Sequence, residues 1–308
     1  MKKCPFFGKC GGCKFDFTAD DYYDKKQESL RDIPTTSNPI WIDSGARRRA
    51  DFAFFGNQFG FYRSGSKQIV PISNCPLLVH EINQILPALS KLPFIGAGSV
   101  LITSCDNGID ASIISSISYF SSEFKSLAEK LPAIRISWNG KAIKQSEQPI
   151  IKFEDKIINY PVDAFLQPSI AGEKTLRGLV RKYTAGSSKI VDLFSGLGNF
   201  TFAVNAIGYD INGLGSKRDL FKKPLKPTDL NKYDCVIMDP PRGGATAQCK
   251  ELIKSNIHRI VYVSCSPDTF TKDKNILESG GFKLINLIPV DQFVGSDNWE
   301  LVSLFTKD

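Results

Sequence analysis

The chain has 308 residues, 42% of them hydrophobic, enough for a large buried core and more in keeping with two domains than with one. Charged residues make up 23% and the formal net charge is +7, a surplus that suits a polyanionic partner such as nucleic acid. No apolar run approaches the ~20 residues that cross a bilayer. Met1-Lys2-Lys3-Cys4-Pro5 leads into no apolar stretch, which argues against a secretory leader and for a cytoplasmic chain with reduced thiols.

Residues 1–17 form a loop that carries Cys4, Cys10 and Cys13, and Cys75 stands far along as a fourth. Thiols spaced C-x5-C-x2-C in a reducing compartment point to a metal centre. With only His80 and His258 available, a four-cysteine site is expected, and spacing alone leaves zinc and iron–sulfur equally open. Cys105, Cys235 and Cys249 read as core or surface thiols.

Residues 18–37 read as a helix and linker packing on the catalytic domain. The helix spans 18–33, with Thr18 as N-cap and Asp20 and Asp21 in the first turn. Residues 38–156 read as a β-rich domain, with short strands at Ala50–Phe55, Gly60–Arg63, Ser99–Ser104, Asp110–Ser115 and Ile134–Trp138, and a helix within Ser116–Leu131. Arg48, Arg49, Arg63 and Lys67 stand among Phe52, Phe54, Phe55, Phe61 and Tyr62. Interleaved cations and aromatics suit phosphate contact and base stacking, although a solvated basic face beside β-core aromatics has the same composition.

From residue 157 to 308 the pattern changes to continuous apolar runs separated by helical stretches. Lys189–Phe194, Tyr233–Met238, Ile257–Ser264, Lys283–Pro289 and Leu301–Thr306 read as buried strands; Gly172–Tyr183 and Thr246–Ser255 read as helices. This is the βαβ signature of a doubly wound α/β domain. Asp192-Leu193-Phe194-Ser195-Gly196-Leu197-Gly198-Asn199 follows the first strand as a glycine loop, and Asp210 stands at the end of the next, placed to accept from ribose hydroxyls. The lack of a GxGxxG loop favours S-adenosylmethionine over a dinucleotide. Asp239-Pro240-Pro241-Arg242 forms a rigid lip at another strand end. Cys265, in Ser264-Cys265-Ser266-Pro267, stands at the same sheet edge, where catalytic groups collect.

Five separated motifs carry a family resemblance: Phe165-Leu166-Gln167, Asp192–Phe200, Asp239–Gly244, Ile260–Thr269 and Trp299-Glu300-Leu301-Val302. In this order they resemble the RNA 5-methyluridine methyltransferases, which act on bacterial 23S rRNA and tRNA. The resemblance implies a class I S-adenosylmethionine-dependent methyltransferase domain behind a smaller β-rich RNA-binding domain. It implies Cys265 as the nucleophile toward uracil carbon 6 and Glu300 as the base that removes the carbon 5 proton. It assigns cofactor contacts to Gln167, Phe194, Asn199, Asp210, Asp219 and Asp239. It also implies a [4Fe–4S] cluster on Cys4, Cys10, Cys13 and Cys75, as in the rRNA branch, and RNA contacts through Arg48, Arg49, Arg63 and Lys67.

The implied partner is RNA, most of all 23S rRNA, bound by a monomer with no membrane association. The rival readings are a tRNA enzyme, a non-catalytic iron–sulfur RNA-binding remnant, and a methyltransferase acting on nitrogen, against which Arg242 and Cys265 argue. The sequence departs from the family in three ways. No TRAM domain precedes the cysteine loop. Ser266 replaces the usual Asn. Only eight residues separate Asp210 from Asp219, where relatives have a helix and a further strand, so the adenosine side of the pocket is expected to be open or rebuilt.

Overall fold

Alternation along Arg49–Phe55 decides the first sheet: Phe52 and Phe54 are buried while Asp51 and Phe55 face water. A computed structural model describes residues 3–308. Met1 and Lys2, the start of the segment read above as no secretory leader, lie outside the described residues. Two compact units result. The first holds the chain up to Lys26, Asp43–Ile170 and Val294–Asp297; the second holds Gln27–Ile42, Ala171–Phe293 and Asn298–Asp308. The division by contact therefore falls at Ile170 rather than at 156, and the linker segment 27–42 goes with the second unit.

In the first unit, seven strands form one sheet in the order Ile69–Pro71, Gln58–Tyr62, Arg49–Phe55, Ala97–Cys105, Gly108–Ser115, Arg135–Trp138 and Lys141–Gln145. A helix at His80–Leu89 packs Ile82, Ile85, Leu86 and Leu89 into the core beside that sheet. Ser121 caps the helix Ser122–Glu129 by accepting from the Phe124 amide at 3.0 Å. The helix expected at 18–33 is shorter: it runs Tyr22–Gln27, followed by a 3-10 turn to Leu30. Thr18 does not cap it, because its amide and hydroxyl both donate to Asp16 Oδ1 (3.0 and 2.6 Å).

The sheet of the first unit also buries an ion pair. Asp110 and Arg135 are register partners, with Arg135 Nε 2.6 Å from Asp110 Oδ1 and both side chains under 5% exposed. Arg135 Nη1 also donates to the Tyr160 carbonyl at 3.0 Å. Breaking one side of such a pair strands a buried charge.

In the second unit, eight strands form one sheet. They are β1 (Ile40–Trp41), β2 (Ile190–Leu193), β3 (Ile207–Asp210), β4 (Ser216–Lys217), β5 (Cys235–Met238), β6 (Arg259–Ser264), β7 (Lys283–Asp291) and β8 (Glu300–Thr306). Their order is β1-β7-β8-β6-β5-β2-β3-β4, parallel except for β8, which runs antiparallel to both β6 and β7. The central strands are buried along their length because both faces are covered. Val191, Leu193, Val236, Met238, Ile260 and Tyr262 pack into one core and Ile190, Cys235, Ile237, Val261 and Val263 into the other. The main helices are α1 (Ile170–Thr184), α2 (Asn199–Val204), α3 (Pro227–Leu230), α4 (Thr246–Leu252) and α5 (Pro267–Ser279). This is the doubly wound α/β architecture expected for the second half of the chain. Cys105, Cys235 and Cys249 are buried core thiols. Among the described residues no helix is long and apolar enough to cross a membrane.

Arg135→Met is expected to destabilise the protein by about 3–5 kcal/mol in urea unfolding, and pairing it with Asp110→Leu to recover most of that loss. Equal losses in single and double variants would show that the pair adds nothing beyond shape.

Candidate active site

Four strand ends build the site of the second unit. Leu193 pairs with Met238 and Met238 with Tyr262, so Phe194 and Asp239 leave the same sheet edge one residue later. β6 and β8 are antiparallel with Ser264 opposite Leu301, which sets Cys265 across from Glu300. Pro267 opens α5, where its fixed φ fits the first helical position. Ser266 contributes through its backbone: its amide donates to Ser264 Oγ (3.3 Å) and its carbonyl accepts from Thr269 Oγ1 (3.2 Å).

Titratable groups are concentrated at this edge. Burial pushes the Cys265 thiol up to about 11; Glu300 and Asp239 push the same way, while Arg242 pulls it down. Burial lifts Glu300 to about 8, opposed by Gln292, whose amide donates to its Oε2. Asp239 is held well above the ordinary carboxylate range by burial, then by Glu300 and Asp192. Asp192 is lifted to about 7 by burial, against the hydrogen bond from Thr201 Oγ1 at 2.6 Å. Three buried carboxyls and a thiol thus compete for protons, an arrangement that favours a cationic ligand.

The glycine loop adds unmet polar atoms. Asn199 Oδ1 and Nδ2, Ser195 Oγ and Asp192 Oδ1 are buried without a hydrogen-bond partner. Buried polar groups are normally satisfied. These donors and acceptors, beside acids that favour positive charge, fit S-adenosylmethionine, which carries an ammonium, a carboxylate and a sulfonium.

The shortened crossover is rebuilt rather than left open. Asp210 Oδ1 accepts from the amides of Asn212 and Gly213 (2.7 and 2.9 Å), and Oδ2 accepts from Gly196 (3.1 Å). Leu214 N donates to the Gly196 carbonyl at 3.1 Å. Gly213 is required there, since a Cβ would fall 2.2 Å from that carbonyl oxygen. Residues 211–215 form no helix, and β4 is only a two-residue stub. Asp219 spends Oδ1 on the amides of Phe221 and Lys222 (3.1 and 3.2 Å).

Gln167 lies in the first unit, buried, with its carbonyl accepting from Arg48 Nε at 3.2 Å. That bond corrects one expectation. Arg48 is 2% exposed, so its side chain serves the fold and does not offer a surface cation to RNA. Arg49 is half-buried and lies 5.5 Å from the Phe165 ring. Arg63 and Lys67 are exposed on the segment between two strands, beside Tyr62, which is 48% exposed.

Cys4, Cys10, Cys13 and Cys75 all belong to the first unit and are free thiols. Burial raises Cys13 to about 12, and Cys75, Cys10 and Cys4 each raise it further, so the thiols sense one another. Gly295 packs against Cys13, where a Cβ would lie 2.9 Å from its Sγ. Even so, among the described residues no group of three or more metal-ligating side chains is disposed to hold a metal ion.

Sequence reasoning passed over three contributors: Arg242 as a cation acting on Cys265, Gln292 on Glu300, and Asp273. Asp273 lies on α5 and accepts from Ala245 N, Thr246 Oγ1 and Tyr262 OH (2.6, 2.6 and 2.7 Å), tying the segment after Arg242 to β6. Only contacts across the fold give these residues their roles.

The strand order, the glycine loop and the acid-lined edge define a class I S-adenosylmethionine-dependent methyltransferase fold. Residues 212–307 match the model of the tRNA (uracil-5-)-methyltransferase family. An uncharacterized RNA methyltransferase of Caulobacter vibrioides is 31% identical over 355 aligned positions, covering 99% of this chain and 85% of the relative. The 23S rRNA (uracil(1939)-C(5))-methyltransferase RlmD of Vibrio parahaemolyticus is 26% identical, covering 99% and 81%. The crystal structure of the Pyrococcus abyssi tRNA (uracil-54, C5)-methyltransferase with S-adenosyl-L-homocysteine shares the fold, with a TM-score of 0.76 at 18% identity over 92% of this chain and 83% of that one. The chain belongs to the RNA (uracil-5-)-methyltransferase family.

Removing the Glu300 charge should shift alkylation of Cys265 by iodoacetamide to lower pH in Glu300→Gln, and Arg242→Gln should shift it to higher pH, as read by peptide mass. Identical midpoints in all three proteins would break the electrostatic account. Arg48→Glu should lower the unfolding temperature by several degrees. Arg63→Glu should leave that temperature unchanged while weakening RNA binding in a filter assay; the reverse pattern would undo the assignment.

Proposed function

We propose that this chain methylates carbon 5 of a uridine in RNA, with 23S rRNA as the substrate, through a covalent bond between Cys265 Sγ and uracil carbon 6. The observation that carries the reading is the placement of Cys265 across from Glu300 at the sheet edge that also bears Asp239 and the unmet polar atoms of the glycine loop. S-Adenosylmethionine, when bound, supplies an electrophilic methyl group on a sulfonium. Cys265 loses its proton to solvent and the thiolate adds to carbon 6, and the displaced π electrons make carbon 5 the nucleophile toward that methyl group. After methylation, Glu300 takes the carbon 5 proton; the C–H electron pair re-forms the 5,6 double bond and the sulfur leaves as thiolate. Asn199 and Asp192 are assigned to the polar end of the cofactor and Asp239 to the reacting edge. A base must leave its stack to reach Cys265, which favours looped or flipped RNA.

Support for 23S rRNA comes from the activity named for the Vibrio relative. The exposed Arg63, Lys67 and Tyr62 suit phosphate and base contact. For Cys4, Cys10, Cys13 and Cys75 we propose a structural [4Fe–4S] cluster. Support is limited to the thiolate donor set and the mutual influence of the four thiols, and no step of methyl transfer runs through it. Equimolar zinc without iron or acid-labile sulfide, in protein purified without oxygen, would replace that assignment.

Mass mapping of 5-methyluridine in rRNA and tRNA from cells with and without the gene tests the reaction; loss of one rRNA mark is expected. With purified protein, Cys265→Ser should abolish transfer, and Glu300→Gln should accumulate an RNA–protein adduct stable in denaturing gels. Full activity in Cys265→Ser would end the covalent mechanism. Loss of a tRNA mark alone would move the substrate.

A further inference from the structure

We propose that Phe221 forms an aromatic seat with Phe194 for the adenine ring of S-adenosylmethionine, a wall created by the shortened crossover of this chain. The inference rests on the function proposed above.

Phe221 is a large apolar side chain left 50% exposed, yet it is held at several points. Its ring centroid lies 5.4 Å from that of Phe194, tilted by 54°. Its far edge reaches the lip after β5, where a Cβ on Gly243 would lie 3.9 Å from Phe221 Cε1. The ring thus bridges the two loops, after β2 and after β5, that flank the site. Phe194 sits at φ 64°, an unusual backbone conformation for an aromatic residue and one that clusters at ligand sites.

The turn beneath Phe221 is fixed from both sides. Asp219 Oδ1 accepts from the Phe221 and Lys222 amides, and the Asp219 carbonyl accepts from Lys223 N at 2.7 Å. Arg218 Nε and Nη2 donate to the carbonyls of Lys223 and Pro224 (2.6 and 2.9 Å). Because β4 ends at Lys217, the turn follows the strand stub directly. An exposed phenylalanine alone is ordinary surface. One fixed by two side chains and facing an aromatic partner on the glycine loop is suited to receive a flat heteroaromatic ring. Asp219 then acts as a positioning residue, and Phe221 supplies the stacking face.

Calorimetry with S-adenosylhomocysteine on the full chain tests this. Phe221→Ala should weaken binding roughly tenfold or more, the range of one base–aromatic stack, while Phe221→Tyr stays near the parent. Phe221→Leu, which keeps bulk without a π face, should fall between them. Unfolding temperatures of the variants should match the parent, since the side chain is half in water; if alanine alone lowers that temperature, the leucine and tyrosine pair decides. Parent-like affinity in both alanine and leucine variants overturns the adenine seat and leaves the proposed function standing. Failure of the parent chain to bind S-adenosylhomocysteine overturns both.

Discussion

A cluster of buried acidic groups at one edge of a parallel sheet is the constraint on which the active-site reading depends. Asp192, Asp239, Glu300 and Cys265 leave four neighbouring strands within reach of one another's fields, and burial raises the proton affinity of each. A fold does not gain stability by gathering such groups, because each desolvated charge disfavours the next. The arrangement makes physical sense as a receptor for a cation. S-Adenosylmethionine is such a cation, and its positive sulfur is the atom whose methyl group must be reached by the nucleophilic carbon.

The crossover from β3 to β4 shows how a parallel connection can be closed with few residues. A parallel connection ordinarily needs a dozen or more residues, and β3 to β4 manages with residues 211–215. The short path works because Asp210 folds the chain back on itself through two amides and Gly213 lets the backbone lie on the glycine loop. The acid that would otherwise be free for a ribose now also holds a turn, and Ile207, Ile211 and Leu214 are left about half exposed.

Continuous apolar runs made β2, β5, β6 and β8 legible, because a strand covered on both faces has no polar alternation to disguise it; β7 was read as well, although Lys283 and Ile285 in its first half face water. Asp239 and Cys265 could be placed at strand ends from the apolar runs before them, whereas Glu300 came into view only through the resemblance. Helix α5 was harder: Pro267 marks its start, but its solvent face is polar and its buried residues are only Phe270, Asp273 and Leu277. The helix His80–Leu89 carries the spacing Ile82, Ile85, Leu86, Leu89, masked by Pro87 within it. Arg48 could not be sorted from its neighbours by composition, because its burial depends on a carbonyl 119 residues away. β1 is two residues long and exists only through β7.

The raised proton affinities of Glu300 and Cys265 also make both groups sensitive to charge brought to the site. Burial lifts Cys265 to about 11, so in the free chain the sulfur stays protonated. A protonated thiol is a poor nucleophile and a poor target for oxidation. Positive charge brought to this edge weakens the hold of both groups on their protons, and every tenfold loss of proton affinity is worth about 1.4 kcal/mol. Positive charge at this edge therefore favours the thiolate, while Glu300 stays tied to the Gln292 amide. The same burial that keeps the Cys265 thiol protonated makes its ionisation sensitive to any positive charge placed beside it.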